Sequence, residues 1–98
     1  MSDKYNGWTN YETWRINLEM LDGMTPEDMG FRRYEFLDED RRENFTERLA
    51  EALESHVAEI VEMDAKGFAL DLAQSFLARV DWNEIAQHMA DDYIAEYV

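Results

Sequence analysis

Carboxylate side chains are the groups with the most chemical potential in this chain, and many recur at helical spacing. Four glutamates follow at intervals of four, four and three residues: Glu43, Glu47, Glu51 and Glu54. Three acids continue the stretch: Glu59, Glu62 and Asp64. A helix rises about 1.5 Å per residue, so residues 47–62 span about 22 Å with one carboxylate per about 5 Å. One DNA strand has a phosphate per about 3.4 Å, so the row predicts a surface that imitates a strand.

The whole chain shares this acidity. Its 98 residues include 23 acidic and 9 basic side chains, for a net charge of −14. Residues 49–98 have a net charge of −9, against −5 for residues 1–48. Such like charge costs stability through self-repulsion, and a strongly basic partner would offset that cost. Direct binding to nucleic acid or to an anionic membrane is excluded as a function, because phosphate would be repelled.

Three further acids lie near the end of the last predicted helix: Asp91, Asp92 and Glu96. Carboxylates at a helix C-terminus oppose the macrodipole, so their presence there hints at function. We predict that these three join the seven acids of residues 43–64 in one partner-binding surface. The structural alternative is a solvated helix face and a tolerant, frayed helix end.

Catalytic and metal-binding patterns are weak in this sequence. Glu84, His88 and Asp92 are each one helical turn apart, which suits a metal on spacing alone, but a surface i,i+4 pair explains them better. No serine stands in a G-x-S-x-G setting, and no glycine-rich phosphate loop occurs. We therefore predict no metal, no cofactor and no enzymatic activity.

The apolar pattern predicts an all-α fold. The chain has only one proline and four glycines, and apolar residues recur at helical spacing. We expect a single domain over residues 1–98, built as a compact bundle of three main helices over about 39–63, 65–79 and 82–96. An N-terminal helix over about 10–21 and a short helical turn near 26–29 complete it. Residues 31–37 fit an irregular connection, a short helix or an extended stretch equally well.

Capping residues predict where the helices begin, and apolar stripes predict which side of each helix faces the core. Thr9 and Glu12 form a capping box for the first helix, Thr25 precedes Pro26 at the short turn, and Asp64 and Asp81 cap the last two helices. The predicted inner faces are Trp14, Leu18 and Leu21; Phe45, Leu49, Leu53, Val57 and Ile60; Phe68, Leu72, Phe76 and Val80; and Ile85, Met89, Tyr93 and Tyr97.

The cellular setting is predicted from what the sequence lacks. There is no cysteine, the first residues have no apolar signal region, and no run approaches the roughly 20 apolar residues of a membrane span. We expect a protein of the cytoplasm with no membrane partner.

The densest aromatic segment is Tyr5–Trp14, which includes Trp8 and Trp14. These two tryptophans either anchor the first helix on the core or form an aromatic hot spot for a protein partner. With little basic charge nearby, a platform for stacking nucleic-acid bases is disfavoured.

Residues 6–14, NGWTNYETW, resemble the opening of a family of small acidic proteins found on phages, plasmids and related mobile elements. Residues 80–86, VDWNEIA, resemble a recurring closing segment of such proteins. The resemblance implies a genomic setting in which host defence is a common target. It supplies no catalytic residues.

Charge and resemblance together predict an anti-defence protein, anti-CRISPR or anti-restriction, that acts as a DNA mimic. Its partner would be a basic nucleic-acid-binding host protein. The alternative is a small adaptor that binds through the aromatic segment, with acidity serving solubility or salt adaptation. Exposed apolar faces of the helices would also allow a homodimer.

Overall fold

The computed structural model describes residues 5–97, except for the side chain of Tyr97; residues 1–4 and 98 lie outside it. Helices form most of this part, and no strand occurs in it beyond one isolated bridge between Tyr5 and Trp8. Five α-helices follow one another: α1 (Tyr11–Ile16), α2 (Arg33–Leu37), α3 (Arg42–Asp64), α4 (Gly67–Leu77) and α5 (Trp82–Tyr97). A π-helical turn (Asn17–Leu21) extends α1, and a 3₁₀ turn (Pro26–Met29) precedes α2. The predicted all-α fold is confirmed.

The core lies mainly between α3 and α5. Leu49, Leu53 and Val57 of α3 are fully buried, as are Ile85 and three further residues of α5 and α2: Ala86, Ala90 and Phe36. Phe45 and Ile60, at the two ends of the predicted α3 stripe, are only partly buried. On α5, the predicted Met89 and Tyr93 are buried, whereas the side chain of Tyr97 lies outside the described part. Period-3.6 patterning therefore located the core-forming faces of both helices.

The first helix packs through a face that only partly matches the predicted one, since Leu21 is buried as predicted and Trp14 and Leu18 are not. Thr13, Ile16 and Leu21 are its buried residues, whereas Leu18 is 48% exposed and Trp14 is half-buried. The π-helical turn brings Leu21 to the side of Thr13 and Ile16, because each i→i+5 turn holds an extra residue and rotates the following side chains around the axis. The capping prediction is also wrong by one residue: Asn10 is the N-cap, and its side chain accepts a hydrogen bond from the Thr13 amide.

The segment between α1 and α3 makes two short turns. Thr25 is the N-cap of the 3₁₀ turn as predicted, and its amide donates a hydrogen bond to the Asp28 carboxylate. Gly30 ends the turn with φ of 91°, a left-handed conformation that suits glycine. Residues 31–37, left open by the sequence, contain helix α2, which buries Phe36 against Phe45 and Tyr93.

Helix α4 departs most from its prediction. Asp64 does not cap it, because Asp64 is the last residue of α3, and Lys66 occupies the N-cap position. The helix ends at Leu77, two residues earlier than expected, and none of its residues is buried. Phe68 and Leu72, predicted to face inward, are 76% and 56% exposed.

Candidate functional site

The predicted acidic row lies on the solvent side of α3. Glu43, Glu47, Glu51 and Glu54 are all exposed. At about 100° per residue they fall within about 80° of one another around the helix axis, and they span about 16 Å along it. The buried residues Leu49, Leu53 and Val57 lie on another side of the same helix, centred about 115° from the row around the axis. The four carboxylates therefore stand on a rigid support, and we call them the acidic row.

The basic side chains near the acidic row are occupied elsewhere. Arg41 pairs with Asp38 at 3.7 Å between Nε and Oδ2, and Arg42 Nε donates a hydrogen bond of 2.9 Å to the Phe36 carbonyl. The Arg48 guanidinium lies 5.3 Å from the centre of the Phe45 ring, a favourable cation–π distance. Among the ion pairs of residues 5–97, none includes a carboxylate of α3. No carboxylate of the row is therefore held in a direct ion pair.

A shallow groove of about 390 Å³ opens beside the row. Ala50 lines it, together with three of the four glutamates and two residues at the start of α5: Glu47, Glu51, Glu54, Trp82 and Asn83. The Trp82 side chain is half-buried and packs against the core. An indole face beside carboxylates suits a cationic side chain of a partner.

The remaining predicted acids of α3 are exposed, and one of them continues the direction of the row. Around the helix axis, Glu62 lies about 20° and Glu59 about 80° from Glu51, the nearest member of the row. Asp64 stands at the helix end, on the other flank of the row. The helix therefore presents a compact row in its first half and a more dispersed set in its second half.

The acids of α5 belong to a separate surface. Asp91 accepts a hydrogen bond of 2.9 Å from Gln87. Asp92 and Glu96 line a second pocket, of about 350 Å³, together with His88 and Trp8. That pocket shares no lining residue with the groove beside the acidic row. The ten predicted carboxylates are thus divided between at least two surfaces.

Of the two tryptophans of the aromatic segment, Trp8 contacts another part of the molecule, whereas the ring contacts of Trp14 are with its own segment. The half-buried Trp8 ring lies 4.4 Å from the His88 ring and packs against the core. The Trp14 ring lies 4.8 Å from that of Tyr5 and 5.8 Å from that of Tyr11. The contact of Trp8 with His88 holds the segment against α5.

Sequence reasoning missed a polar network that joins the N-terminal motif to the start of α5. The Thr9 amide donates to Glu84 Oε1 at 2.8 Å, and Asn10 Nδ2 donates to the Arg79 carbonyl at 2.7 Å. The fully buried Thr13 hydroxyl accepts from the Asp81 amide at 2.8 Å and donates to Asn10 Oδ1 at 2.7 Å.

An ion pair flanks this network. Arg79 Nε lies 2.7 Å from a carboxylate oxygen of Glu12, which therefore does not act in the predicted capping box with Thr9. The two sequence segments singled out above, residues 6–14 and 80–86, thus meet in space. The Asn10-x-x-Thr13 spacing, an ordinary N-cap pattern, was the signal that could have indicated half of the network.

The one-turn spacing of Glu84 and His88, which would suit a metal site, has a structural explanation. Glu84 binds the Thr9 amide and His88 stacks on Trp8, so both side chains have protein partners. Within residues 5–97, no group of three histidine, aspartate or glutamate side chains is arranged to hold a metal ion. Over the same residues, no helix combines the length and apolarity required to cross a bilayer.

An apolar groove lies on another side of the molecule, between α1, the end of α3 and α4. Its lining includes Tyr11, Ile16 and Val61, together with residues of α4: Leu72, Ala73, Phe76 and Leu77. Arg15 borders it and donates a hydrogen bond of 2.7 Å to the Tyr11 hydroxyl. That bond, followed by the Glu19 carboxylate at 3.0 Å, raises the pKa of Arg15.

Comparison with known proteins places the chain in a family without assigning it an activity. No curated protein and no solved structure matches the sequence. The model of one family, described as a family of unknown function (DUF7249), matches residues 1–97. The chain therefore belongs to this family of unknown function, DUF7249.

Proposed function

We propose that the chain is an anti-defence protein of a mobile element that acts in the host cytoplasm as an acidic DNA mimic. It would occupy the basic nucleic-acid-binding groove of a host effector, such as a CRISPR effector or a restriction enzyme, and block it without catalysing a reaction. The observation that supports this proposal most directly is the acidic row on α3, exposed and free of ion pairs.

The spacing of the row fits this role. Glu43, Glu47, Glu51 and Glu54 offer one carboxylate per about 5 Å of helix axis, close to the density of phosphates along a DNA strand. Leu49, Leu53 and Val57 anchor α3 on the core, so the helix is already ordered before it meets a partner. Binding therefore needs no additional free energy to order it. Complementary fields would also speed the encounter with a basic groove.

Two considerations narrow the partner and the interface. The resemblance of residues 6–14 to mobile-element proteins favours a host defence enzyme over other basic proteins. The contacts of Trp8 with His88, and of Thr13 with Asp81, give the aromatic segment a structural role within the fold. They favour an interface on α3 over the adaptor alternative, in which that segment would bind the partner.

Charge reversal in the acidic row tests the proposal. Tagged protein would be used to capture host proteins, which would be eluted by a salt gradient, identified, and assayed for DNA binding and cleavage. The wild-type chain should release a nuclease at moderate salt and compete with DNA for it. The triple variant Glu47→Lys, Glu51→Lys and Glu54→Lys should lose the competition while keeping its helical circular dichroism spectrum.

A matched variant separates the effect of the acidic row from the effect of overall net charge. Asp22→Lys, Glu39→Lys and Asp40→Lys change the net charge equally at three other exposed acids. This control should compete with DNA nearly as well as the wild type. Equal inhibition by the wild type and the α3 triple variant would reject the mimic mechanism. Loss of binding in Trp8→Ala or Trp14→Ala, with α3 variants unaffected and folding intact, would favour the adaptor.

A further inference from the structure

Helix α4 displays an apolar stripe to solvent. Phe68, Leu72 and Phe76 recur every four residues and therefore lie on one side of the helix. No residue of α4 is buried, and Phe68 and Leu72 are 76% and 56% exposed. Met63, just before the helix, is 79% exposed. An apolar stripe of this kind ordinarily faces a packing partner, which the described part of the chain does not supply for Phe68 and Leu72.

The charge around this stripe differs from that of the rest of the chain. Residues 65–80 contain Lys66, Asp71 and Arg79, for a net charge of +1 within a chain of −14. Two copies that met through α4 would therefore bring little like charge into direct contact. At physiological ionic strength, charges more than about 8 Å apart are largely screened, so the remaining acids oppose such contact only weakly. The α4 stripe is thus suited to self-association.

The exposed area of the molecule points the same way. It exposes 6615 Å², whereas a compact monomer of its 11.7 kDa mass exposes about 5900 Å². The radius of gyration is 14.2 Å, against about 12.5 Å for a compact domain of this length. The excess of about 700 Å² is close to the roughly 800 Å² that each partner buries in a standard interface.

We propose that the chain forms a symmetric homodimer in which the α4 stripe (Phe68, Leu72 and Phe76) packs against the same stripe of a second copy. A two-fold axis allows one patch to serve both copies, which is the commonest arrangement in soluble oligomers. The dimer leaves the acidic row of each copy available, because the row and the stripe have no residue in common. This inference does not depend on the function proposed above.

Sedimentation velocity over a wide concentration range tests the dimer. The wild type should reach twice the 11.7 kDa monomer mass as its concentration rises. The double variant Phe68→Gln and Leu72→Gln should weaken association by about a hundredfold, since four apolar anchors are lost from each symmetric dimer. Glutamine is a good helix former, so the exposed positions should keep their helix. The control Leu18→Gln changes an equally apolar, 48% exposed residue outside the stripe and should leave the mass unchanged.

Thermal melts by circular dichroism show whether each variant is folded. Where the double variant fails to fold, the single variant Leu72→Gln takes its place, with an expected loss of about tenfold because two anchors instead of four are removed. A wild type that keeps the monomer mass at every concentration overturns the inference. A folded stripe variant that dimerises as well as the wild type overturns it equally, because the interface would then lie elsewhere.

Discussion

At the scale of single residues, the two recognisable sequence segments of this chain act on each other. Thr13 is the central side chain, since its hydroxyl is fully buried, donates to Asn10 and accepts from the Asp81 amide. Asn10 in turn caps α1 and reaches the Arg79 carbonyl. The network therefore fixes the start of α1 against the start of α5, and it explains the pattern of polar residues between the aromatic ones.

Thr13→Val should lower the free energy of unfolding by about 1–3 kcal/mol, because it leaves the Asp81 amide buried without an acceptor at nearly constant side-chain volume. Urea denaturation measures this change. Thr46→Val is the matched control: the Thr46 hydroxyl only adds a second bond to the Arg42 carbonyl of its own helix, so its loss should cost well under 1 kcal/mol. Equal costs for the two variants would contradict a special role for the network.

At the scale of the helices, the acidic row reduces the stability of α3. Glu43, Glu47 and Glu51 form two like-charge pairs at i,i+4 spacing, each destabilising by about 0.2–0.5 kcal/mol. No nearby arginine relieves them, because Arg42 and Arg48 are directed to Phe36 and Phe45. A helix selected for stability alone would alternate its charges, so the row agrees with the binding role proposed above.

Glu47→Lys should therefore raise the free energy of unfolding by about 1 kcal/mol, since it replaces two repulsive pairs with two attractive ones. Glu47→Gln, which only removes the repulsion, should give about half of that gain. Both values come from urea denaturation at low salt, and both variants should bind the partner less well. A destabilised Glu47→Lys would mean that this carboxylate has a structural role that its exposure does not reveal.

The sequence predicted the buried face of a helix well where the helix is long, and poorly where the helix is short or its packing depends on its neighbours. The period of α3 and α5 was readable because many turns repeat it, as from Leu49 to Val57. Helix α2 has five residues and a single buried one, Phe36, so it offers no period to read. The rotation of α1 by its π-helical turn, and the exposure of Phe68, depend on tertiary packing that an apolar pattern alone does not specify.

Of the candidate site, the sequence could predict what depends on helical spacing within α3. It could not predict what depends on the packing of one helix against another. The Glu43–Glu54 row follows from helical spacing, and its exposure follows from the apolar stripe that occupies another side of the helix. The separation of Asp92 and Glu96 from that row could not be read from spacing, because it depends on how α5 lies against α3 and Trp8. Long-range polar contacts such as that of Thr9 with Glu84 were hidden for the same reason.

At the scale of the whole molecule, net charge and shape act together. A net charge of −14 is distributed over a flat body of 44 × 35 × 21 Å. A flat body keeps like charges further apart than a sphere would and exposes more surface to a partner. The two proposed contacts use this surface differently: the acidic row of α3 by charge, and the stripe of α4 by apolar burial.

Stability should rise with salt and then level off. Raising potassium chloride from about 0.01 to 0.15 M shortens the Debye length from about 30 to 8 Å, and at 1 M it is about 3 Å, below the spacing of the carboxylates. Most of the repulsion should therefore be relieved before molar salt is reached.

Urea unfolding of the Phe68→Gln, Leu72→Gln variant at each salt concentration measures this rise in stability without a contribution from association. Adding Asp22→Lys, Glu39→Lys and Asp40→Lys to that variant leaves less charge to screen, so the rise should be smaller. A free energy of unfolding that keeps climbing steeply into molar salt would instead support adaptation to high salt as the reason for the acidity.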